Sequence, residues 1–262
     1  MKVAIVGYGW VGEAMSELFP GAIIHDPLKK GWSNEDGSKK VICNKNIVNK
    51  CDVAFVCVPT PNSKEMELDT SIVEGVVGWC TSSLIVIRST VNPGDCDRWA
   101  KKYGKNIVMQ PEYLGETVAH PLLDPKNRPF LIVGGKPKDR RKLIELYTKC
   151  YNANITIRQV SLLEAEVIKL SENRAILFKV LQCQELYDVC EKAGVDFYTI
   201  RDAVYGDDPR FNLWWTFIFP ESRGANSKCI PKDVYAWRAW AESLGYIPEI
   251  TNQLLETNRE WI

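Results

Sequence analysis

The chain has 262 residues, and its 33 lysine and arginine residues balance its 33 aspartate and glutamate residues. This charge balance, without a concentrated basic block, argues against nucleic acids and anionic membranes as partners. No apolar run is long enough to cross a bilayer, and the segment before the first glycine motif is too short for a signal peptide, so we expect a cytoplasmic protein. The nine cysteines form no CxxC pair and only two histidines are present, so we expect no metal site.

A glycine motif lies between the first predicted strand, residues 2–6, and the first predicted helix, residues 13–19. Its sequence is Gly7-Tyr8-Gly9-Trp10-Val11-Gly12. In this context the first glycine makes a tight turn, the second admits a pyrophosphate, and the third lets the helix pack on the strand. A second predicted strand, residues 21–25, ends at Asp26, where a carboxylate binds ribose hydroxyls and disfavours a 2′-phosphate. The motif therefore predicts NAD as the cofactor.

The first 158 residues alternate between apolar, β-rich runs and helical patterns. Continuous apolar runs such as residues 52–58 are typical of parallel strands that are buried on both faces. The alternation predicts an α/β fold with a doubly wound parallel sheet, a Rossmann domain over residues 1–158. Residues 40–43 are a weaker strand candidate. The other predicted strands are residues 84–88, 106–109, 130–135 and 155–157, and the predicted helices between them are residues 70–80 and 138–150.

Polar side chains follow several of these strands, at the sheet edge where open α/β sheets bind ligands. The stiff segment Val58-Pro59-Thr60-Pro61 is predicted to lie over the cofactor crevice. Ser89 and Thr90 follow the next strand, and their hydroxyls could reach a ribose, a substrate or a water, or could simply cap a turn. Glu112 and Glu116 flank a glycine beyond the strand at 106–109, and solvated loop carboxylates are an equally good interpretation.

A long helix is predicted over residues 161–193, with Ser161 and Glu164 as a capping box and Gly194 after its end. Its length of roughly 50 Å exceeds what one small domain needs, so we expect it to pack against a second copy in a homodimer. Lys169 and Asn173 are four residues apart and share a face of this helix. Residues 159–262 are therefore predicted to form a small all-α domain.

Cys229 stands in an unusual segment, Cys229-Ile230-Pro231-Lys232-Asp233. Helices are predicted over residues 234–244 and 248–260, with Asp233 at or near the first N-cap. A helix N-terminus and neighbouring lysines both favour a thiolate, the nucleophilic form of cysteine. We interpret Cys229 as a catalytic nucleophile, while a small buried cysteine is the alternative. The preceding segment contains Arg210 and an aromatic run, residues 213–219, typical of a core or an oligomer interface.

Taken in order, these motifs resemble the UDP-glucose/GDP-mannose dehydrogenase family. The resemblance rests on the glycine motif, the segments around Pro59, Ser89 and Glu112, the helix segment 164–173 and the Cys229 segment. It implies NAD-dependent oxidation of a sugar primary alcohol to a carboxylate in two hydride transfers, with a small, nucleotide-linked sugar as substrate. It also implies a role in polysaccharide biosynthesis.

The resemblance assigns a role to individual residues. Cys229 matches the nucleophile that captures the aldehyde and becomes a thioester, while Lys169 and Asn173 match residues that stabilise oxyanions. Asp233 and Thr90 match the pair that orders the catalytic water, and Glu112 matches a residue tied to thioester hydrolysis. Glu116, Arg210 and Lys232 are the implied substrate-binding residues. The implied cofactor-binding residues are Gly7, Tyr8, Gly9, Trp10, Val11, Gly12, Asp26, Val58, Pro59, Thr60, Ser89 and Thr90.

Two departures from the family pattern leave alternatives open. The segment Gly224-Ala225-Asn226-Ser227-Lys228 carries side chains where the family is glycine-rich. The family usually continues with a further Rossmann-like domain, whereas this sequence stops at Ile262, so we expect a different or smaller sugar derivative, or a separate chain that supplies that domain. The alternatives are a two-electron β-hydroxyacid-type dehydrogenase, which would not need Cys229, and a non-catalytic NAD-binding dimer.

Overall fold

The computed structural model describes residues 1–63, 67–115, 122 and 124–262. The chain divides into two compact units. The first consists of Met1–Pro61 and Leu68–Lys169, and the second of Leu170–Ile262 with the described part of Asn62–Glu67. The division falls inside a long helix, Leu162–Ala193. The domain boundary expected after residue 158 stays a prediction.

Seven strands of the described chain form one sheet in the first unit. They are β1 Val3–Val6, β2 Ile23–His25, β3 Val53–Val56, β4 Leu84–Ile87, β5 Ile107–Met109, β6 Phe130–Gly135 and β7 Thr156–Val160. Their order across the sheet is β2-β1-β3-β4-β5-β6-β7. All neighbours are parallel except β5 and β6, which are antiparallel. The predicted α/β, doubly wound sheet is confirmed, with one antiparallel step.

The central strands are buried on both faces, as their continuous apolar sequences predict. In β3, Ala54 and Val56 belong to one core cluster, while Val53 and Phe55 belong to another. Side chains alternate between the two faces of a strand, so each cluster covers one face of the sheet. The central strands are therefore enclosed, and only their ends are open to ligands.

Five helices of the first unit cover the sheet: α1 Trp10–Leu18, α2 Lys45–Val48, α3 Ser71–Trp79, α4 Asp95–Tyr103 and α5 Pro137–Tyr147. Neither α2 nor α4 was predicted: α2 is a single turn, and in α4 the apolar residues Cys96, Trp99, Ala100 and Tyr103 stand among five charged ones. The signals for α4 were nevertheless present: Asp95 and Asp97 lie in its first turn, Lys101 and Lys102 in its last turn, and Gly104 follows with a φ of 62°.

The weak strand predicted at residues 40–43 is wrong. Lys40 and Val41 form only isolated bridges, to Ser33 and Ile24 respectively. Val41 is buried against Tyr8 and Ile24 in a small apolar cluster, so its apolar side chain reflects local packing and not membership of the sheet.

The second unit contains most of helix α6, Leu162–Ala193, followed by α7 Phe197–Arg201, a π-helical turn Asp202–Asp207, α8 Ile230–Ser243 and α9 Glu249–Trp261. The predicted capping box at the start of α6 is confirmed. The Ser161 amide donates to the Glu164 carboxylate at 2.7 Å, and the Glu164 amide donates to Ser161 Oγ at 3.2 Å.

The predicted glycine end of α6 is confirmed as well. Gly194 has a φ of 67°, and its amide donates to the Glu191 carbonyl at 3.3 Å. The Val195 amide donates to the Cys190 carbonyl at 3.1 Å, which completes a Schellman motif. Both ends of this long helix are therefore set by local sequence.

Candidate active site

The strand order of the sheet reverses between β1 and β3. In open α/β sheets the crevice at such a reversal, beyond the carboxyl ends of the strands, is where ligands bind. The glycine motif follows β1, the segment 57–60 follows β3, and the segment 88–94 follows β4. Three of the sequence-predicted segments therefore meet at one edge of the sheet.

The three glycines of the motif have different surroundings. Gly7 has a φ of 90°, and a Cβ there would lie 2.6 Å from the Cys57 carbonyl oxygen. A Cβ on Gly12 would lie 2.1 Å from the Gly7 carbonyl oxygen. A Cβ on Gly9 would meet no atom within 4 Å. The protein's own packing thus requires Gly7 and Gly12, while the open space at Gly9 is the room that a pyrophosphate needs.

The other residues of the motif set the position of the loop. Trp10 begins α1, and its Nε1 donates to the Gly115 carbonyl at 3.1 Å. Val11 packs against the core. The Tyr8 ring is buried, so this residue offers only its backbone to the crevice. Since Gly9 has no side chain to cap α1, the first amides of the helix can hold an anionic group.

Asp26 follows β2, where the sequence predicts a ribose ligand. Its Oδ2 accepts a hydrogen bond from the Tyr8 amide and its Oδ1 accepts one from the Leu28 amide, both at 2.8 Å. Each carboxylate oxygen has a second lone pair that a ribose hydroxyl could use. The two amides therefore orient the carboxylate and leave it able to accept further hydrogen bonds.

A cavity of about 370 Å³, which sequence reasoning missed, lies beside Asp26. Burial lowers the pKa of His25, Lys45 lowers it further, and Asp26 only partly opposes them, so the imidazole is neutral at pH 7. The adenine end of a dinucleotide would lie at this position, next to a ribose held by Asp26. The cavity is lined by His25, Pro27, Cys43, Asn44, Lys45 and Asn46.

The segments after β3 and β4 are hydrogen-bonded to each other. Ser89 is buried, and its hydroxyl donates to the Val58 carbonyl at 2.6 Å. This contact makes Ser89 a support for the cofactor loop in the described structure. Val58 is half-buried, Pro59 is exposed and Thr60 is buried.

Thr90 is half-buried on a segment with several anchors. The Asn92 side chain accepts from the Leu68 amide at 3.0 Å and donates to the Leu68 carbonyl at 2.8 Å. The buried Glu166 carboxylate on α6 accepts from the amides of Gly94 and Cys96, at 2.6 and 2.8 Å. These contacts fix the segment that carries Thr90 to the start of α6.

Glu112 lies in a buried ionic cluster. Its carboxylate forms salt bridges with Arg88 and with Arg128, the second at 2.9 Å. Its Oε1 also accepts from the amides of Tyr113 and Leu114, at 2.6 and 2.8 Å. Burial raises the pKa of Glu112, but the two arginines and the amide hydrogen bonds outweigh it and hold the pKa below its ordinary value. The ionised carboxylate has all these partners, and it therefore anchors the segment that starts at Glu112.

Replacing Glu112 by glutamine should lower the free energy of unfolding by about 3–5 kcal/mol, because two buried arginines would lose their counter-charge. The folded-state pKa of Glu112 is lowered, so this stability is present above the ordinary value of 4.5 and is lost as the pH falls through the folded-state pKa. Urea denaturation at pH 7 and pH 4 measures both effects. The exposed Glu145→Gln change is the control, with an expected effect within about 0.5 kcal/mol. Equal stabilities of the two variants at pH 7 would contradict the role of this cluster.

Lys169, at the end of the first unit, places its ammonium 4.9 Å from the centre of the Tyr113 ring. The predicted substrate residue Glu116 lies outside the described residues. Within the described part of the first unit, the structure therefore brings Lys169 to the segment that begins at Glu112.

In the second unit, Cys229 is the exposed N-cap of α8. The Ile230 amide donates to Ser227 Oγ at 3.0 Å, and the Asp233 amide donates to the Cys229 carbonyl at 3.0 Å. The prediction that Asp233 lies at or near the N-cap is wrong, because α8 begins at Ile230. Pro231 is the second helical residue, where its fixed φ suits the helix and its missing N–H costs nothing.

Two residues predicted to be catalytic meet in this unit. Asn173 on α6 donates from Nδ2 to Asp233 Oδ2 at 2.5 Å, and Lys232 Nζ lies 2.6 Å from Asp233 Oδ1. Asn173 and Asp233 are both buried. Cys229 and Asp233 are four residues apart and thus share a side of α8. The structure therefore sets the thiol one helical turn from a buried, hydrogen-bonded carboxylate.

The loop before Cys229 is held by α9. Gly224 has a φ of 69°, and a Cβ there would lie 3.0 Å from Asn258 Oδ1. The Asn258 side chain accepts from the Ala225 amide at 2.7 Å and donates to the Ala225 carbonyl at 3.1 Å. Ala225 is thus tied to α9 through its backbone, its methyl group lies in a core cluster, and Ser227 Oγ accepts from the first amide of α8.

Arg210 lies on the surface of the second unit. It forms a bidentate salt bridge with Asp208, and its side chain is 80% exposed. The loop is fixed farther along, where Lys179 Nζ donates to the Asn212 carbonyl at 2.6 Å. The structure thus leaves Arg210 accessible from solvent.

Among the described residues, no group of histidine, cysteine, aspartate or glutamate side chains is arranged to hold a metal ion. Within the same residues, no helix combines the length and the apolar character that crossing a bilayer requires.

Comparison with protein families identifies both units. Residues 32–151 match the NAD binding domain of the UDP-glucose/GDP-mannose dehydrogenase family, and residues 163–260 match the central domain of the same family. The chain belongs to this family. The glycine motif precedes the first matched segment, and its assignment to the cofactor rests on its own geometry.

Individual relatives agree with the family match. A UDP-glucose 6-dehydrogenase from Rickettsia typhi is 26% identical over 226 residues, which cover 82% of this chain and 50% of that protein. A GDP-mannose 6-dehydrogenase from Pseudomonas aeruginosa is 29% identical, with 82% and 52% covered. The structure of a UDP-glucose dehydrogenase from Pyrobaculum islandicum superimposes with a TM-score of 0.83 at 21% identity, covering 99% of this chain and 68% of that one. The chain spans about half the length of such curated relatives.

The family's cofactor is NAD, and the first unit has the features that NAD needs. The open space at Gly9, the oriented Asp26 carboxylate and the cavity beside it lie along the carboxyl edge of neighbouring strands β2 and β1. A pyrophosphate would lie at Gly9, a ribose at Asp26 and an adenine in the cavity.

Replacing Gly9 by valine should weaken NAD binding at least about tenfold, because the new side chain would fill the space for the pyrophosphate. Folding should be unaffected, since a Cβ at Gly9 meets nothing. Gly21→Val is the matched control: a Cβ there also meets no atom within 4 Å, and Gly21 lies away from the motif. Isothermal titration calorimetry and thermal denaturation measure the two effects. Unchanged NAD affinity in Gly9→Val would place the pyrophosphate elsewhere.

Proposed function

We propose that the protein oxidises the primary alcohol of a nucleotide-linked sugar to a carboxylate in two NAD-dependent steps, with Cys229 as the nucleophile. The observation that carries this proposal is the exposed Cys229 thiol at the N-terminus of α8, one turn from the buried Asn173–Asp233–Lys232 cluster. Membership of the UDP-glucose/GDP-mannose dehydrogenase family supports the same reaction class.

In the first step the sugar alcohol loses a proton and a hydride and becomes an aldehyde. NAD, when bound, accepts the hydride. The task for the protein is to stabilise the alkoxide, for which we assign the Lys169 ammonium. A cation that is held in place before the reaction stabilises developing negative charge without further reorganisation.

The second oxidation requires a nucleophile, because the carbonyl carbon of an aldehyde becomes a hydride donor only after addition. The Cys229 thiolate adds to that carbon, and the oxygen takes up a proton to give a thiohemiacetal. Loss of a second hydride and a proton converts it to a thioester. The N-terminus of α8 and the neighbouring Lys228 and Lys232 favour the thiolate form.

Hydrolysis of the thioester releases the carboxylate product and returns the thiol. Water adds to the thioester carbon, and the carbon–sulfur bond then breaks. We assign Asp233 to orienting this water, because Asn173 and Lys232 hold its carboxylate in a fixed position. The pairing of Asp233 with Thr90 comes from the family resemblance and stays a prediction. Glu112 is not assigned as a base, since its carboxylate is engaged by two arginines.

The stoichiometry of NADH tests this proposal. A limiting amount of UDP-glucose or GDP-mannose, with NAD in excess, should yield two NADH per sugar. Cys229→Ser should yield at most one NADH per sugar and no carboxylate, because the second oxidation needs the sulfur adduct. The matched control is Cys150→Ser, which replaces a half-buried thiol whose pKa is raised by burial.

Each other outcome has a definite meaning. Two NADH per sugar from Cys229→Ser would eliminate the thioester route. One NADH from the wild type would favour a two-electron, β-hydroxyacid-type dehydrogenase. No NADH from a preparation that binds NAD would favour the non-catalytic alternative, or a chain that needs a separate partner for nucleotide recognition.

We propose further that the protein is a cytoplasmic homodimer that uses α6 as part of its interface, with polysaccharide biosynthesis as its biological role. Support for the dimer comes from large apolar side chains left exposed on the second unit, since such patches usually mark interaction surfaces. On α6 these are Phe178 and Val189, at 47% and 57% exposed. Other exposed apolar residues in this unit include Tyr198, Ile200, Phe211, Trp214, Phe217 and Phe219.

Sedimentation equilibrium should give about twice the chain mass of 29.8 kDa. Phe178→Glu should shift the mass to that of a single chain, because a buried unpaired charge would destabilise the interface. Leu28→Glu, at a side chain 95% exposed in the first unit, is the control and should leave the mass unchanged. A wild-type mass of one chain would remove the dimer proposal.

A further inference from the structure

Lys169 and Tyr113 come together in the first unit through residues far apart in the sequence. Lys169 lies on α6, and Tyr113 follows β5 by a few residues. The Lys169 Nζ is 4.9 Å from the centre of the Tyr113 ring. This distance is within the range of about 6 Å over which an ammonium is attracted to an aromatic face.

Two contacts hold Tyr113, one at its backbone and one at its ring. Its backbone amide donates to Glu112 Oε1 at 2.6 Å, and Glu112 is held by Arg88 and Arg128. Its ring lies 5.2 Å from the ring of Phe130 at the start of β6. The ionic cluster therefore holds the backbone of Tyr113, and the aromatic contact with Phe130 holds its ring against the sheet.

A lysine that must stabilise an alkoxide needs such an anchor. The lysine side chain has four rotatable bonds, and ordering it costs free energy. An aromatic face attracts the cation through its quadrupole and leaves the positive charge in place. An ordered, charged ammonium is what electrostatic stabilisation of an oxyanion requires.

We propose that Tyr113 is a positioning residue for Lys169: its ring holds the ammonium in the orientation used for alkoxide stabilisation. The geometric part of this inference concerns the resting protein, and its catalytic consequence rests on the proposed function. The Glu112 cluster then serves the reaction indirectly, by fixing the residue that positions the lysine.

The geometric part can be tested without turnover. Reductive ¹³C-methylation of the lysines keeps their charge and gives each an NMR signal, and Lys169→Arg identifies the signal of Lys169 by its loss. Over the Tyr113 ring face, this signal should be shifted upfield by the ring current. The shift should persist in Tyr113→Phe, which keeps the ring, and disappear in Tyr113→Leu. An unshifted wild-type signal would overturn the proposal, even if Tyr113→Leu failed to fold.

The catalytic part is tested by kinetics on the same variants. Tyr113→Leu should lower kcat about tenfold while the Kd for NAD stays within about twofold, and Tyr113→Phe should behave as the wild type. Equal kcat for Tyr113→Leu and the wild type would overturn the positioning role, as would a loss in Tyr113→Phe equal to that in Tyr113→Leu. A shifted NMR signal in a wild type that makes no NADH would leave the lysine geometry intact and would count against the proposed function.

Discussion

The burial of β1, β3 and β4 on both faces is the constraint on which the first unit depends. Parallel strands need helices on both sides of the sheet, so their faces are unavailable to ligands. What remains open is the edge at which the strands end. The glycine motif, the Val58–Thr60 segment and the Ser89–Gly94 segment all lie at the carboxyl ends of these strands. The chemistry of the unit is thus confined to its loops.

Buried polar groups then decide how those loops are held. Asn92 joins the Thr90 segment to Leu68, Glu166 joins it to α6, and Glu112 joins β4 to the segment after β5. Each of these side chains has its hydrogen-bonding groups engaged, as burial demands. Apolar packing alone would leave such loops free to adopt many conformations. Polar contacts with defined directions give them one, which a site for a small molecule requires.

Polar contacts with defined directions also hold a loop of the second unit. This loop precedes Cys229, and Ala225 and Ser227 in it have defined contacts. Asn258 holds Ala225, and Ser227 supplies the hydroxyl that caps α8. Because α8 begins immediately after Cys229, the thiol stands at the positive end of a helix, and Asp233 lies one turn farther along in a buried hydrogen bond with Asn173. These contacts therefore fix the segment that carries Cys229.

Local sequence by itself determined the elements whose signals are short-range. Features that depend on residues within one or two turns, or on a strong periodicity, could be predicted. They are the apolar strands, the glycine motif with Asp26, the capping box at Ser161 and the Gly194 end of α6. Helix α4 was not predicted although its end signals were present, because its short apolar stripe of Cys96, Trp99, Ala100 and Tyr103 stands among five charged residues. The start of α8 was misplaced, since a proline can end a helix or occupy its first turn, and only the Ser227 hydrogen bond to Ile230 distinguishes the two.

Tertiary structure alone decided which distant side chains meet. Nothing in the sequence indicates that Glu112 would be enclosed by Arg88 and Arg128, that the Lys169 ammonium would lie over the Tyr113 ring, or that a cavity would open beside Asp26. These contacts join residues on separate strands, helices and loops, so they follow from the order of strands in the sheet and the path of α6. Residue types and spacing determined which chemistry the chain could perform. The folded backbone decided which of these side chains meet, and therefore where that chemistry can take place.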